Sequence, residues 1–127
     1  MTRISNHFRI LATLFSLLIL TSCFYDEGLV EAIPEDTIVS YSIDIQPIFS
    51  ASCTSCHPLI ISAPDLTNEN SYDAIIMGNY VVSKDLDASI LYQKLLGKPN
   101  VMPPSGPLPQ KEIDLFKKWI EQGALNN

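Results

Sequence analysis

The stretch Ile45-Gln46-Pro47-Ile48-Phe49-Ser50-Ala51-Ser52-Cys53-Thr54-Ser55-Cys56-His57 joins two patterns end to end. The first is helical: Ile45, Ile48 and Phe49 fall on one face. Asp44 is placed to cap that helix, and Pro47 lies inside the first turn, where a missing N–H costs nothing. The expected helix covers 44–52. The second pattern, Cys53 to His57, spaces two thiols by two residues and follows the second thiol at once with an imidazole.

C-x-x-C-H is the pattern of covalent c-type haem attachment. Two thiols at this spacing add across the two vinyl groups on one edge of the porphyrin, and the next residue delivers its imidazole to the iron. Cys53 and Cys56 are the expected thioether residues and His57 the proximal iron ligand, for one haem c per chain. Zinc fits the stretch less well: a structural site needs four ligands, and adjacent Cys56 and His57 would struggle to share one tetrahedral ion. A thioredoxin-like C-x-x-C needs a βαβ setting, which the sequence does not offer. A plain disulfide would leave the small core without support.

Towards the N-terminus, residues 1–9 carry Arg3 and Arg9 and no acid, and an apolar run of eleven residues follows from Ile10 to Leu20. A helical span needs about 20 residues, so this run matches the h-region of a signal peptide. Leu20-Thr21-Ser22-Cys23 resembles the bacterial lipoprotein signal, in which the Cys is lipidated and becomes the first residue. The expected signal peptide is 1–22, with Cys23 as the lipid anchor. Its removal takes Arg3, Arg9 and His7, leaving 105 of the 127 residues and His57 as the single histidine. The next stretch, to Ser40, holds Asp26, Glu27, Glu31, Glu35 and Asp36 and no base. Residues 23–40 read as the lipidated Cys and an acidic tether, with a strap over the domain surface as the alternative.

Towards the C-terminus the chain reads as short helices joined by Pro-rich loops. Tyr72, Ile75 and Ile76 predict a helix over 69–77 that stops at Gly78. Asp87 is expected to cap a helix over 87–96 built on Ile90, Leu91 and Leu95. The last helix starts near Pro109 and sets Ile113, Phe116, Trp119 and Ile120 on one face. Its outer face spaces Asp114 with Lys118, and Lys117 with Glu121, for i,i+4 pairs. The only strand candidate is Tyr80-Val81-Val82. The class is all-α: about four short helices around one covalently attached haem, in a domain over 41–127. Four short helices make a thin core for about 85 residues, which favours a prosthetic group.

Composition removes several classes. With 14 acids against 8 Lys and Arg, the chain lacks the basic stripe of a nucleic-acid binder. No Ser-His-Asp set, phosphate-cradling Gly loop or catalytic carboxylate pair is recognisable, and the expected protein is not an enzyme.

The likeness extends beyond C-x-x-C-H. Ile45-Gln46-Pro47-Ile48-Phe49 with the motif, Asp85 to Leu95, Met102-Pro103-Pro104, and Glu112 to Ala124 together resemble the planctomycete-type cytochrome c domains over about residues 41–125. That family often opens its last helix with Ser or Thr, where Pro109 stands here. The resemblance implies a cytochrome c-like helical fold, with first and last helices crossing beside a single haem and a Met as second axial ligand. With one histidine left, the distal side falls to Met77, Met102, a lysine, water or nothing. Met77 reads as a packing residue inside its helix. Met102 stands in a loop stiffened by four prolines, Pro99, Pro103, Pro104 and Pro107, and the resemblance points to it as the distal iron ligand. Tyr72 and Tyr92 read mainly as packing residues, with haem propionates as possible partners.

The expected function is a monohaem, His/Met-ligated c-type cytochrome carrying single electrons between transient redox-protein partners. It would sit on the periplasmic side of a bacterial membrane, anchored through Cys23, and bind no nucleic acid. The rival readings are a haem-based gas sensor with a labile sixth ligand and an electron-entry subunit of a larger exported oxidoreductase.

Overall fold

The structure is a computed structural model and describes residues 32–127. The expected signal peptide 1–22, the anchor Cys23 and the first part of the tether lie outside the described residues. Within them the chain is all-α, with four α-helices and no named strand. The Tyr80-Val81-Val82 patch yields only an isolated bridge from Val82 to Asp85.

The chain enters through a π-helical turn, Tyr41–Ile45, that runs into α1, Gln46–Ser52. The expected start at 44 is one turn too late. Ser40 is the N-cap: its Oγ accepts from the Ile43 N–H at 3.3 Å, and Asp44 Oδ2 accepts from the Ser40 N–H at 2.8 Å. Asp44 therefore reaches back to close a reciprocal cap rather than opening the helix itself. Pro47 has no N–H for the carbonyl of Ile43, and its ring crowds that carbonyl. The preceding turn widens, with the Gln46 N–H reaching Tyr41 O.

The second helix, α2, is Ser71–Met77. Asp65 organises the turn before it, accepting from Thr67 N at 3.1 Å, Thr67 Oγ1 at 2.7 Å and Asn70 Nδ2 at 2.9 Å. These bonds, the Thr67 hydroxyl first, hold the Asp65 carboxyl below its ordinary value. The third helix, α3, is Ile90–Leu95, with Ser89 and not Asp87 at its N-cap. Asp87 is exposed. The buried Ser89 hydroxyl instead ties the preceding turn together, accepting from Val82 N at 3.0 Å and donating to Asp85 O at 2.6 Å. Ile90 is half exposed, so the inward stripe of α3 is carried by Leu91 and Leu95. The helix stops at Gly97, whose φ of +81° disfavours any side chain.

The last helix, α4, is Gln110–Glu121, and Ile113, Phe116, Trp119 and Ile120 are all buried. Pro109 occupies its N-cap without a side-chain hydrogen bond. On the outer face Lys117 and Glu121 approach to 4.0 Å. The expected Asp114–Lys118 pair gives way to other partners: Asp114 accepts from Gln110 Nε2 at 2.9 Å, and the Lys118 ammonium donates to Pro34 O.

The core is the seam between the first and last helices. Phe49 meets Phe116 with centroids 5.3 Å apart, and Tyr41 meets Trp119 at 5.4 Å and Tyr72 edge-on at 5.0 Å. The segment before α1 closes this core. Val39 is 2% exposed, its N–H donates to Gln122 Oε1 at 2.9 Å, and Gln122 Nε2 donates to Thr37 O at 2.7 Å. Residues 34–40 thus form a strap on α4, and the free spacer expected up to residue 40 ends sooner.

One polar group lies inside the core. Tyr41 and Ser71 hydroxyls both donate to Gln46 Oε1, and the two hydroxyls lie 2.6 Å apart. The three side chains are buried, and they join the start of α1 to the start of α2. Burial is the main cause that pushes the Tyr41 phenol up to about 12, against the lowering effect of Ser71.

Candidate functional site

Helix α1 delivers the C-x-x-C-H stretch directly. Cys53 is its C-cap, donating its N–H to Phe49 O at 2.9 Å. The chain then tightens into a single turn, with Cys56 N and His57 N donating to Cys53 O at 3.1 and 2.9 Å. Cys53, Cys56 and His57 are therefore held together by backbone bonds to one carbonyl.

The two thiols differ. Both are free, but Cys53 is half-buried and Cys56 exposed. Burial, then the charges of Glu112 and Cys56, pushes the Cys53 thiol up to about 11. At neutral pH it is a thiol and not a thiolate. Redox-active C-x-x-C motifs and metal-binding cysteines work as thiolates, with the pKa lowered by positive surroundings. The environment of Cys53 is the opposite. Among the described residues no three His, Cys, Asp or Glu side chains come together as a metal cage.

His57 is partly buried, and its Nδ1 is enclosed without a hydrogen-bond partner. With Nδ1 enclosed, Nε2 is the ring nitrogen left for a ligand. Beyond His57 a loop projects and returns, closed by the Leu66 N–H donating to His57 O at 2.8 Å. Leu66 is buried, while Leu59, Ile60 and Ile61 at the loop's outer end are 69%, 94% and 66% exposed. Three consecutive exposed aliphatic side chains next to the candidate site are unusual for a surface.

Met102 is half-buried, and its N–H donates to Lys94 O at 3.0 Å. The Pro-rich loop is thereby pinned to the C-terminal end of α3. Met77 departs from expectation: it is 81% exposed at the end of α2 and packs no core. The helix ends there because Gly78 takes the Tyr80 ring against it, so close that a Cβ at Gly78 would lie 2.6 Å from the ring. Tyr72 spends its hydroxyl on Ala124 O at 2.9 Å, as a packing residue would. Tyr92 is partly buried, and burial, with the charges of Asp114 and Glu121 behind it, raises its phenol.

The residue missed in the sequence is Glu112. Its Oε2 is buried without a partner, the same condition as His57 Nδ1. Spacing alone does not mark it; the helix contact does. Phe49 meets Phe116, Cys53 lies one turn after Phe49, and Glu112 lies one turn before Phe116.

Two cavities among the described residues lie elsewhere. One, of about 230 Å³, is lined by Val39, Trp119, Gln122 and Leu125. The other lies between the strap and the outer face of α4. Comparison with known protein families, with curated proteins and with solved structures found no match in any of the three.

The donor chemistry fits a covalently attached haem. Two free thiols stand at the required spacing, Cys53 is held neutral, and the neighbouring imidazole has one enclosed nitrogen. Exposed aliphatic side chains lie beside them, available to cover an apolar macrocycle.

Proposed function

We propose that this chain is a monohaem c-type cytochrome that carries single electrons between redox proteins outside the cytoplasmic membrane, tethered through Cys23. The observation that supports the reading best is the C-x-x-C-H turn itself: two unpaired thiols and an imidazole gathered on one carbonyl at the end of α1. Cys53 and Cys56 would hold the haem as thioethers, and His57 and Met102 would hold its iron. When bound, the group supplies an iron that accepts and returns one electron.

The chain's own part is placement. The Phe49–Phe116 contact fixes the end of α1 against α4 and so fixes Cys53. The Tyr41–Gln46–Ser71 group locks α1 to α2. The Met102 N–H on Lys94 O limits how far the thioether can move, which a weak neutral ligand needs in order to compete with water. The excess of acids favours partners with a basic docking patch.

Protein matured in a host with haem-attachment machinery is expected to keep its haem through denaturing electrophoresis and acidified organic extraction. Cys53→Ala with Cys56→Ala is expected to lose it. Extraction of haem from the wild type would end the covalent reading. Met102→Ala is expected to open the sixth position, lower the potential and let the reduced protein bind CO. An unchanged potential and far-red thioether band in that variant would remove Met102 as ligand. CO binding by the wild type at neutral pH would favour the gas-sensor reading.

A further inference from the structure

Glu112 has a place in the structure that packing does not explain. It is the third residue of α4, inside the first turn, where the positive end of the helix dipole favours an ionised carboxyl. Its Oε2 is nevertheless buried with no hydrogen-bond donor, which is costly for a carboxylate. Among the described residues the ion pair within 4.0 Å is Lys117–Glu121, so no cation neutralises Glu112 at that range. From the Phe49–Phe116 contact, one turn forward along α1 leads to Cys53 and one turn back along α4 leads to Glu112. The charge of Glu112 reaches the Cys53 sulfur, where it is the second cause of the raised thiol. It is thus an uncompensated negative charge held next to a haem-attachment residue.

We propose that Glu112 is a positioned charge that sets the redox balance of the attached haem, holding the oxidised state in favour. The inference rests on the haem reading above. The physical argument is charge balance. On reduction the iron gains one electron from a redox-protein donor and its charge falls by one, with no bond made or broken. A fixed carboxylate close by attracts the more positive ferric form and so opposes that step. Low-dielectric surroundings on the Oε2 side strengthen the effect. The exposed charges of α4, Glu121 among them, are screened by solvent and act weakly.

The test compares Glu112→Gln, Glu112→Asp and Glu121→Gln in the matured protein by spectroelectrochemical titration. Glu112→Gln is expected to shift the ferrous-to-ferric ratio at a fixed ambient potential about three- to tenfold towards ferrous, where tenfold corresponds to about 59 mV for one electron. Glu112→Asp keeps the charge and is expected to shift less than Glu112→Gln. Glu121→Gln removes the same charge from the solvated face and is expected to change the ratio less than about twofold. A shift below about twofold in Glu112→Gln, or an equal shift in Glu121→Gln, overturns the proposal. If Glu112→Gln fails to mature, Glu112→Ala, which also removes the charge, takes its place under the same limits: a shift towards ferrous above that of Glu121→Gln supports the proposal, and none overturns it. Haem retention in the wild type is scored separately on a denaturing gel. Loss there defeats the haem reading and this proposal with it, whereas retention with an unmoved potential defeats this proposal alone.

Discussion

The α1–α4 seam and the loop after His57 are both rich in apolar side chains, and they place them in opposite ways. At the seam Ile45, Phe49, Phe116, Trp119 and Ile120 are at most 1% exposed, and their rings meet at 5 to 7 Å as the ring pairs of a closed core do. In the loop, Leu59, Ile60 and Ile61 stand outward beyond a backbone closed by Leu66 and His57. The seam satisfies itself with this chain's own atoms. The loop, together with the unpartnered Nδ1 of His57 and Oε2 of Glu112, places its polar and apolar demands around Cys53 to His57. One part of the molecule is finished by folding. The other leaves these groups unsatisfied, as the haem proposed above would require.

The sharpest way to break that contrast is truncation. Trp119→Ala in the matured protein is expected to cost about 3–5 kcal/mol by denaturant titration, since the indole also donates to Leu125 O at 2.9 Å. A cost below about 1 kcal/mol would mean that the seam does not carry the fold. Next in size is the buried polar group. Gln46→Ala leaves two buried hydroxyls without their acceptor and is expected to cost about 1–3 kcal/mol. Adding Ser71→Ala should recover part of that loss, because one orphaned hydroxyl is removed with it; a purely additive double variant would contradict the shared acceptor.

Alkaline pH tests the same group. Tyr41 holds its proton more tightly folded, at about 12, than unfolded, at 10.0. Its contribution is therefore complete below about pH 10 and is lost as pH rises towards 12. A Tyr41→Phe variant should show a shallower loss of stability over that window. The smallest effects belong to the outer surfaces. Met77→Ala is expected to change stability by less than about 0.5 kcal/mol, because the side chain is 81% exposed. Ile60→Ser should likewise leave the denaturation midpoint of the seam alone, while altering the visible spectrum or the docking of a partner if the loop covers the haem. A large destabilisation by either would place these side chains in the core.

What was legible in the sequence followed how local its cause was. The stripe of α4 was legible because Ile113, Phe116, Trp119 and Ile120 repeat at helical spacing, and all four are buried. So was the stop at Gly97, because a positive φ of +81° asks for glycine. The caps were less legible. Asp44 and Asp87 each precede an apolar stripe, yet Ser40 and Ser89 hold the N-cap positions. Which of two neighbouring polar residues caps a helix depends on the turn before it, and that turn is set by contacts the sequence does not display. Met77 misled for another reason: it adjoins Ile75 and Ile76 in sequence, but it lies off the face that Tyr72, Ile75 and Ile76 set, and it stands exposed. The C-x-x-C-H stretch was read from its chemistry, and the structure adds that its three residues share one turn. Glu112 was not legible, since its meaning depends on a helix crossing between residues 53 and 112.

The strap on α4 also sets a leash. Were all of 23–40 free, the chain between an anchored Cys23 and Tyr41 would have a contour of about 60 Å at ~3.3–3.6 Å per residue. Because the Lys118 ammonium binds Pro34 O, and the Gln122 amide binds both Thr37 and Val39, the domain is gripped from Pro34 onward. The contour that remains, from Cys23 to Pro34, is at most about 40 Å. Were Cys23 anchored, the same grip would make the C-terminal end of α4 the point from which the domain hangs. The volume a tethered carrier can search scales with the cube of its leash, so on the proposed reading cutting 18 residues of leash to 11 would reduce it roughly fourfold and would favour electron exchange with partners held close to the same membrane.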